Sequence, residues 1–133
     1  MAYEESLKSI SIPTGADLSA AQYLFVRMTE NGVVLSEAGG DCVGVVQNKP
    51  GQNAPANERV GIAATVTIGG VSKLRAGGVI AKGAKVSAMA DGRGKAAAAG
   101  EAVQGIALIA ATSADEIISV LLNPTATPIP AAP

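Results

Sequence analysis

YLFVRMTENGVVL, residues 23–35, sets the fold class. YLFVRM is β-rich, VVL is β-rich again, and Asn31-Gly32 stands between them. Two such runs around Asn-Gly form the strongest short-range hairpin signal, because Asn and Gly tolerate the positive φ angles of a turn that matches strand twist. The stretch predicts strands over 23–28 and 33–35 joined by a tight turn.

The same grammar continues on both sides. Upstream, Ser9, Ile10, Ser11 and Ile12 alternate before Pro13, which suits a short strand or an extended arm. Residues 17–22 have room for one helical turn. Downstream, CVGVV (42–46) reads as a buried strand and QNKPGQNAPANE (47–58) as a long polar loop. VGIAATVTI (60–68) reads as a half-buried strand with Val60, Ile62, Ala64, Val66 and Ile68 on one face. GGVSKLRAGG (69–78) places a short strand between glycine pairs. KVSAM (85–89), an Asp-Gly turn, an Ala-rich return and EAVQGIALIAA (101–111) follow. Ser113 and Glu116 have capping-box spacing, so a helix is the rival over IISVLL (117–122); its β-branched content and the Asn123-Pro124 stop favour a strand. The expected fold is all-β: a small β-sandwich or β-barrel of short antiparallel strands. An extended N-terminal arm or strand (1–16) precedes the β-rich domain (17–124), and a Pro-rich tail (125–133) follows it. As a free arm, the first residues would be removable with more loss of partner binding than of folding.

Two parts of the chain echo each other. VRMTENG (26–32) and VSAMADG (86–92) each place Val six residues before a turn glycine. Gly44 and Gly105 follow, behind Asp41 and Glu101, and each leads to a loop and another strand. Either a hairpin-plus-strand unit is duplicated, or common β grammar has produced the likeness twice.

Composition narrows the function. The hydrophobic fraction is 48%, yet the aromatics are only Tyr3, Tyr23 and Phe25. The core must be thin and built from Ala, Val, Ile and Leu, and a domain with such a core gains from oligomerisation. A net charge of −1 with no basic stripe and few stacking side chains argues against nucleic-acid binding. Histidine, the commonest acid–base catalyst and metal ligand, is absent. The single cysteine, Cys42, stands beside Asp41 and Val43 and reads as a buried structural thiol. The carboxylates are scattered with no calcium-loop spacing. The N-terminus does not read as a signal peptide, and no run approaches the roughly 20 apolar residues of a membrane helix.

AGGVIAKGAKV (76–86) superficially suggests a phosphate loop, but Ala84 follows Gly83 where Lys is required, and Val86 replaces the metal-binding hydroxyl. It reads as strand edge, glycine turn and strand. No catalytic, cofactor-binding or metal-binding residue is expected.

The phrases SLKSISIPTGADLSAAQYLFVRM, NGVVL, VGVVQNKP, GGVSKLRAGGVIAKGAKV, ADGRG, GIALIAA and EIISVLLNP, in this order over roughly residues 5–124, resemble the bacteriophage capsid cement, or head decoration, proteins. Residues 125–133 lie outside the resemblance. It implies a non-enzymatic β-rich protein on the outer surface of an expanded icosahedral head, bound to the major capsid protein, as a homotrimer or else a dimer, with no cofactor. The residues expected to touch a partner are Leu7, Ile10 and Ile12 on the N-terminal strand, with Lys73, Arg75 and Lys82 from a loose basic cluster. The alternatives are a tail or surface β-module that binds a receptor, and a small hydrolase or ligand-binding barrel.

Overall fold

The structure, a computed structural model, describes residues 2–123, apart from the side chains of Ser6 and Leu7; the expected Pro-rich tail lies outside the described residues. The described chain is all-β. Its strands are β1 (Glu5–Pro13), β2 (Phe25–Thr29), β3 (Gly32–Leu35), β4 (Gly44–Val46), β5 (Ala63–Arg75), β6 (Lys85–Ala88), β7 (Gly94–Ala96), β8 (Gly105–Ala107) and β9 (Ile117–Leu122). They form one curled antiparallel sheet in the order β3-β2-β4-β5-β9-β8-β6-β7. β1 lies along the remaining edge of β5, since Thr67 pairs with both Ser9 and Val45, and Gly70 with both Ser6 and Leu122.

The echo in the sequence corresponds to one topology built twice. Val26 pairs with Gly44 as Val86 pairs with Gly105. Val45 pairs with Thr67 as Ile106 pairs with Leu121. Pro13 pairs with Ala63 as Arg75 pairs with Ile117. Both copies close with a parallel bridge, Thr14 to Val33 and Ala76 to Gly94. The first unit is therefore β1–β4 with the first half of β5, and the second is the rest of β5 with β6–β9. The 13-residue β5 serves as the last strand of one unit and the first strand of the other.

The backbone exceptions follow the same correspondence. Tyr23 (φ 65°) and Gly83 (φ 85°) both precede a first hairpin strand, and their N–H groups donate to the matching oxygens of Val46 and Ala107. Gly61 (φ 80°) and Asp115 (φ 69°) both precede a last strand, and their N–H groups donate to Thr14 O and Ala76 O. A Cβ on Gly44 would run into the Thr67 carbonyl oxygen, and one on Gly105 into that of Leu121. Both glycines are thus required by close strand approach.

Two clusters make the core. Ile12, Leu18, Val26, Val33, Val46, Ala64 and Val66 fill the first unit. Leu74, Ile80, Val86, Ile118 and Val120 fill the second, joined there by Phe25 and Val45 from the first. No side chain except Phe25 is large, so the stability is the sum of many burials of about 1.5–3 kcal/mol each.

The structure adjusts several expectations. The hairpin turn is Glu30–Asn31, and Gly32 opens β3 with φ 121°, packed against the backbone of Pro13–Gly15. Leu18 to Leu24 form successive tight turns (Ala21 N–H to Leu18 O, Leu24 N–H to Ala21 O) and no helix. The strand expected over 60–68 starts at Ala63 and continues through Gly69-Gly70 to Arg75, absorbing the short strand expected after it. Val60, expected on the buried face, is exposed before that strand begins. IISVLL is a strand. The rival helix fails because Glu116 Oε2 accepts hydrogen bonds from the N–H groups of Thr112 (2.6 Å) and Ser113 (2.8 Å), closing a turn that delivers Ile117 into β9. The N-terminal segment is a strand on its own chain's β5, not a free arm, so its removal would open the first unit.

Candidate functional site

The partner contacts expected from the sequence do not form one patch. Ile12 is 8% exposed and belongs to the first core, so its side chain holds the fold together and is not offered to a partner. Ile10 is half-buried against the same core. Leu7 lies where the β1–β5 register shifts between Ser6 and Lys8. Lys73 and Arg75 share one face of β5. Lys73 Nζ stands 5.7 Å from the centre of the Tyr23 ring, a cation–π geometry. The Arg75 N–H donates to Tyr23 O. Lys82 is exposed in the turn before β6. Of the cations, Lys82 is fully at the surface and Lys73 and Arg75 are half-buried, whereas the isoleucines are largely committed to the interior.

The phosphate-like phrase contains no helix. Ala76 and Ile80 make isolated bridges, Gly83 occupies a turn at positive φ, and β6 follows at Lys85. A helix N-terminus aimed at an anion, the element that gives a phosphate loop its affinity, is not built here.

Polar side chains mainly fasten loops. Arg59 reaches Ala54 O (3.0 Å) and Ser19 Oγ (3.3 Å) and pairs with Asp17 at 3.5 Å, tying the 47–58 loop to the turns before β2. Glu101 accepts from Ser87 Oγ (3.0 Å) and Ala98 N–H (2.7 Å) and pairs with Lys95 at 2.6 Å. Burial alone would raise its pKa, but these three donors together hold it below the ordinary carboxylate value. Burial, and then the charge of Asp41, push the Cys42 thiol up to about 12, so it is protonated at neutral pH and a poor nucleophile. Its Sγ lies 3.7 Å from Gly40 O. Among the described residues, no three His, Cys, Asp or Glu side chains converge as a metal site. No helix there is long and apolar enough to cross a membrane.

The junction between the units is held by backbone and side-chain hydrogen bonds, and no motif in the sequence marks it. The side chains of β2 and β4 that point out of the first unit cover the end of the second. Phe25 N–H donates to Gly92 O (2.7 Å), Gly39 N–H to Ala88 O (2.8 Å), and Gln104 Nε2 to Gly40 O (3.1 Å). Phe25, Cys42, Val43, Gly44 and Ile68 of the first unit and Gln104 and Leu122 of the second surround a gap of ≈ 10 Å³ there, about one water in size. No protein-family model, curated protein or solved structure matches the chain.

Proposed function

We propose that this protein is a non-enzymatic virion component: a phage capsid cement protein that binds the outer surface of the expanded head as an oligomer and ties neighbouring major capsid protein subunits together. The observation that carries this reading is the ordered series of phrases over residues 5–124 that resemble the decoration proteins. The duplicated β unit supports it. A chain that presents two copies of one scaffold, multiplied again by oligomerisation, gains avidity from contacts that are individually weak. Binding only the expanded lattice then stabilises that state by linkage. The half-buried cations Lys73 and Arg75 and the exposed Lys82 are the contacts assigned to the capsid.

Co-sedimentation of the intact protein with expanded and unexpanded shells tests the proposal. Saturable binding to expanded shells alone, at a fixed ratio to the capsid subunit, is the expected result. Absence of binding to both shells overturns it in favour of a tail or receptor-binding module.

A further inference from the structure

Among the described residues, Glu101 is the one carboxylate of an ion pair that the fold encloses. Its side chain is 17% exposed, whereas the carboxylates of the other pairs are 47–68% exposed. It lies in the connection between β7 and β8, where Oε1 accepts from Ala98 N–H and Ser87 Oγ and Oε2 meets Lys95. The same connection holds the first unit. Ala102 N–H donates to Gly39 O (3.1 Å), and Gln104 Nε2 to Gly40 O (3.1 Å). Gly39 is pressed against the carboxylate itself, since a Cβ there would lie 2.8 Å from Oε2. The shared scaffold does not demand this arrangement. Where the second unit has Ser87 and Glu101, the first has Arg27 and Asp41, and Asp41 is exposed.

We infer that Glu101 is an acid-operated latch on this side of the junction: protonation of its carboxylate releases the 97–104 segment from the Gly39–Gly40 turn, while the sheets of both units stay closed. The chemistry of the donors requires a release. A carboxylate accepts at both oxygens, and protonation turns one of them into a donor. On Oε2 the new O–H faces the Lys95 ammonium, which has no acceptor. On Oε1 it faces Ala98 N–H, and only Ser87 Oγ can rotate to accept it. One charge-assisted contact and one loop-closing hydrogen bond cannot both survive. The other charged groups on the surrounding elements are Lys85 on β6, which is exposed, and Glu37 and Asp41 beside the Gly39–Gly40 turn, of which Glu37 pairs with Arg27 at 3.4 Å. Burial raises the pKa of Glu101, and the donors, Lys95 first, outweigh it, so the closed latch holds the group below its ordinary value. The latch is therefore complete above the ordinary value and is lost as pH falls through the lower, folded-state value. The hydrogen bond from Phe25 N–H to Gly92 O involves no titratable group and stays made. The inference goes beyond the capsid reading and does not depend on it.

The test follows the Glu101 carboxyl by carbon NMR in the full-length protein, with amide exchange measured along the same pH series and corrected for its intrinsic pH dependence. Protection of Gly39 and Ala102 should fall about tenfold or more at the midpoint of Glu101. Val46 and Leu108, whose N–H groups bond Leu24 O and Ser119 O inside the two units, should keep theirs. Glu101→Gln should exchange fast at Gly39 and Ala102 throughout the series, with no step. Lys95→Met retains the acid and should move the step to higher pH, so the test stands even where the Gln variant does not fold. Asp41→Asn should leave the step in place. Unchanged protection at Gly39 and Ala102 while Glu101 titrates overturns the inference. Simultaneous loss at Val46 and Leu108 does so too, because it makes the event ordinary acid unfolding. A step that persists in Glu101→Gln assigns it to another acid and overturns the inference as well. Failure of capsid binding leaves all of these readouts standing.

Discussion

Tyr23 and Asp115 are the two non-glycine residues at positive φ in the described chain, and each stands where the other unit has glycine. Most L-residues lose roughly 1–2 kcal/mol in this conformation. The pairing gives a way to separate conformational cost from steric cost. Nothing lies within 4 Å of a Cβ placed on Gly61, although its φ is 80°. Gly61→Ala should therefore destabilise by about 1 kcal/mol, the backbone term alone. Gly44→Ala meets the Thr67 carbonyl at a buried strand crossing, and should cost at least about 3 kcal/mol or prevent folding. Urea unfolding of the two variants checks the difference. Equal losses would mean that the strands separate easily at Gly44. The sequence had already paired Gly44 with Gly105, because both carry an acidic residue just upstream and a strand just downstream. It did not pair Tyr23 with Gly83 or Asp115 with Gly61, since a shared backbone angle leaves no common side chain to compare.

At the scale of elements, local pattern identified strands well and their limits less well. β9 was legible because Ile117, Ile118 and Val120 are β-branched and Asn123-Pro124 follows. β5 was split in the reading because Gly69-Gly70 resembles a turn, whereas the pair lies inside a continuous strand where β4 gives way to β9 as its neighbour. β1 was legible as an extended segment, but its partner was not, since pairing over such a sequence distance leaves no local mark. Its register now makes a prediction. β1 covers β5 from Ala63 to Val71 and brings Ile12 into the first core. Deleting residues 2–12 should lower the urea midpoint markedly and speed hydrogen exchange in Ala63–Val71. A synthetic peptide of residues 2–13 added in trans should restore part of that protection, as strand addition to an open edge does. A truncated protein of unchanged stability would show that the first unit does not need β1.

At the scale of the molecule, one side chain couples the two units. Phe25 belongs by chain position to the first unit, and by packing to the core of the second, with Leu74, Val86 and Ile118. Its counterpart is Lys85, which is exposed. The sequence contained this asymmetry, Phe against Lys at matching places in the echo, but hydrophobicity alone does not reveal which surface an outward Phe covers. Ile12 was misassigned to a partner for the related reason that an alternating strand looks alike whether its apolar face meets its own core or another protein. Phe25→Ala should cost about 3–5 kcal/mol, the range for a buried aromatic that leaves a cavity. Phe25→Lys should cost more, because it buries a charge without a partner. Its effect should also be uneven. Hydrogen exchange should quicken at the 88–92 turn and at Gly39–Gly40, where the inter-unit hydrogen bonds lie, before it quickens in β1 and the first half of β5. Lys85→Phe, made at an exposed position, should leave the melting temperature of the dilute protein nearly unchanged. If Phe25→Lys loosened both units together, the junction would be part of a single cooperative core and not a joint between two folding units.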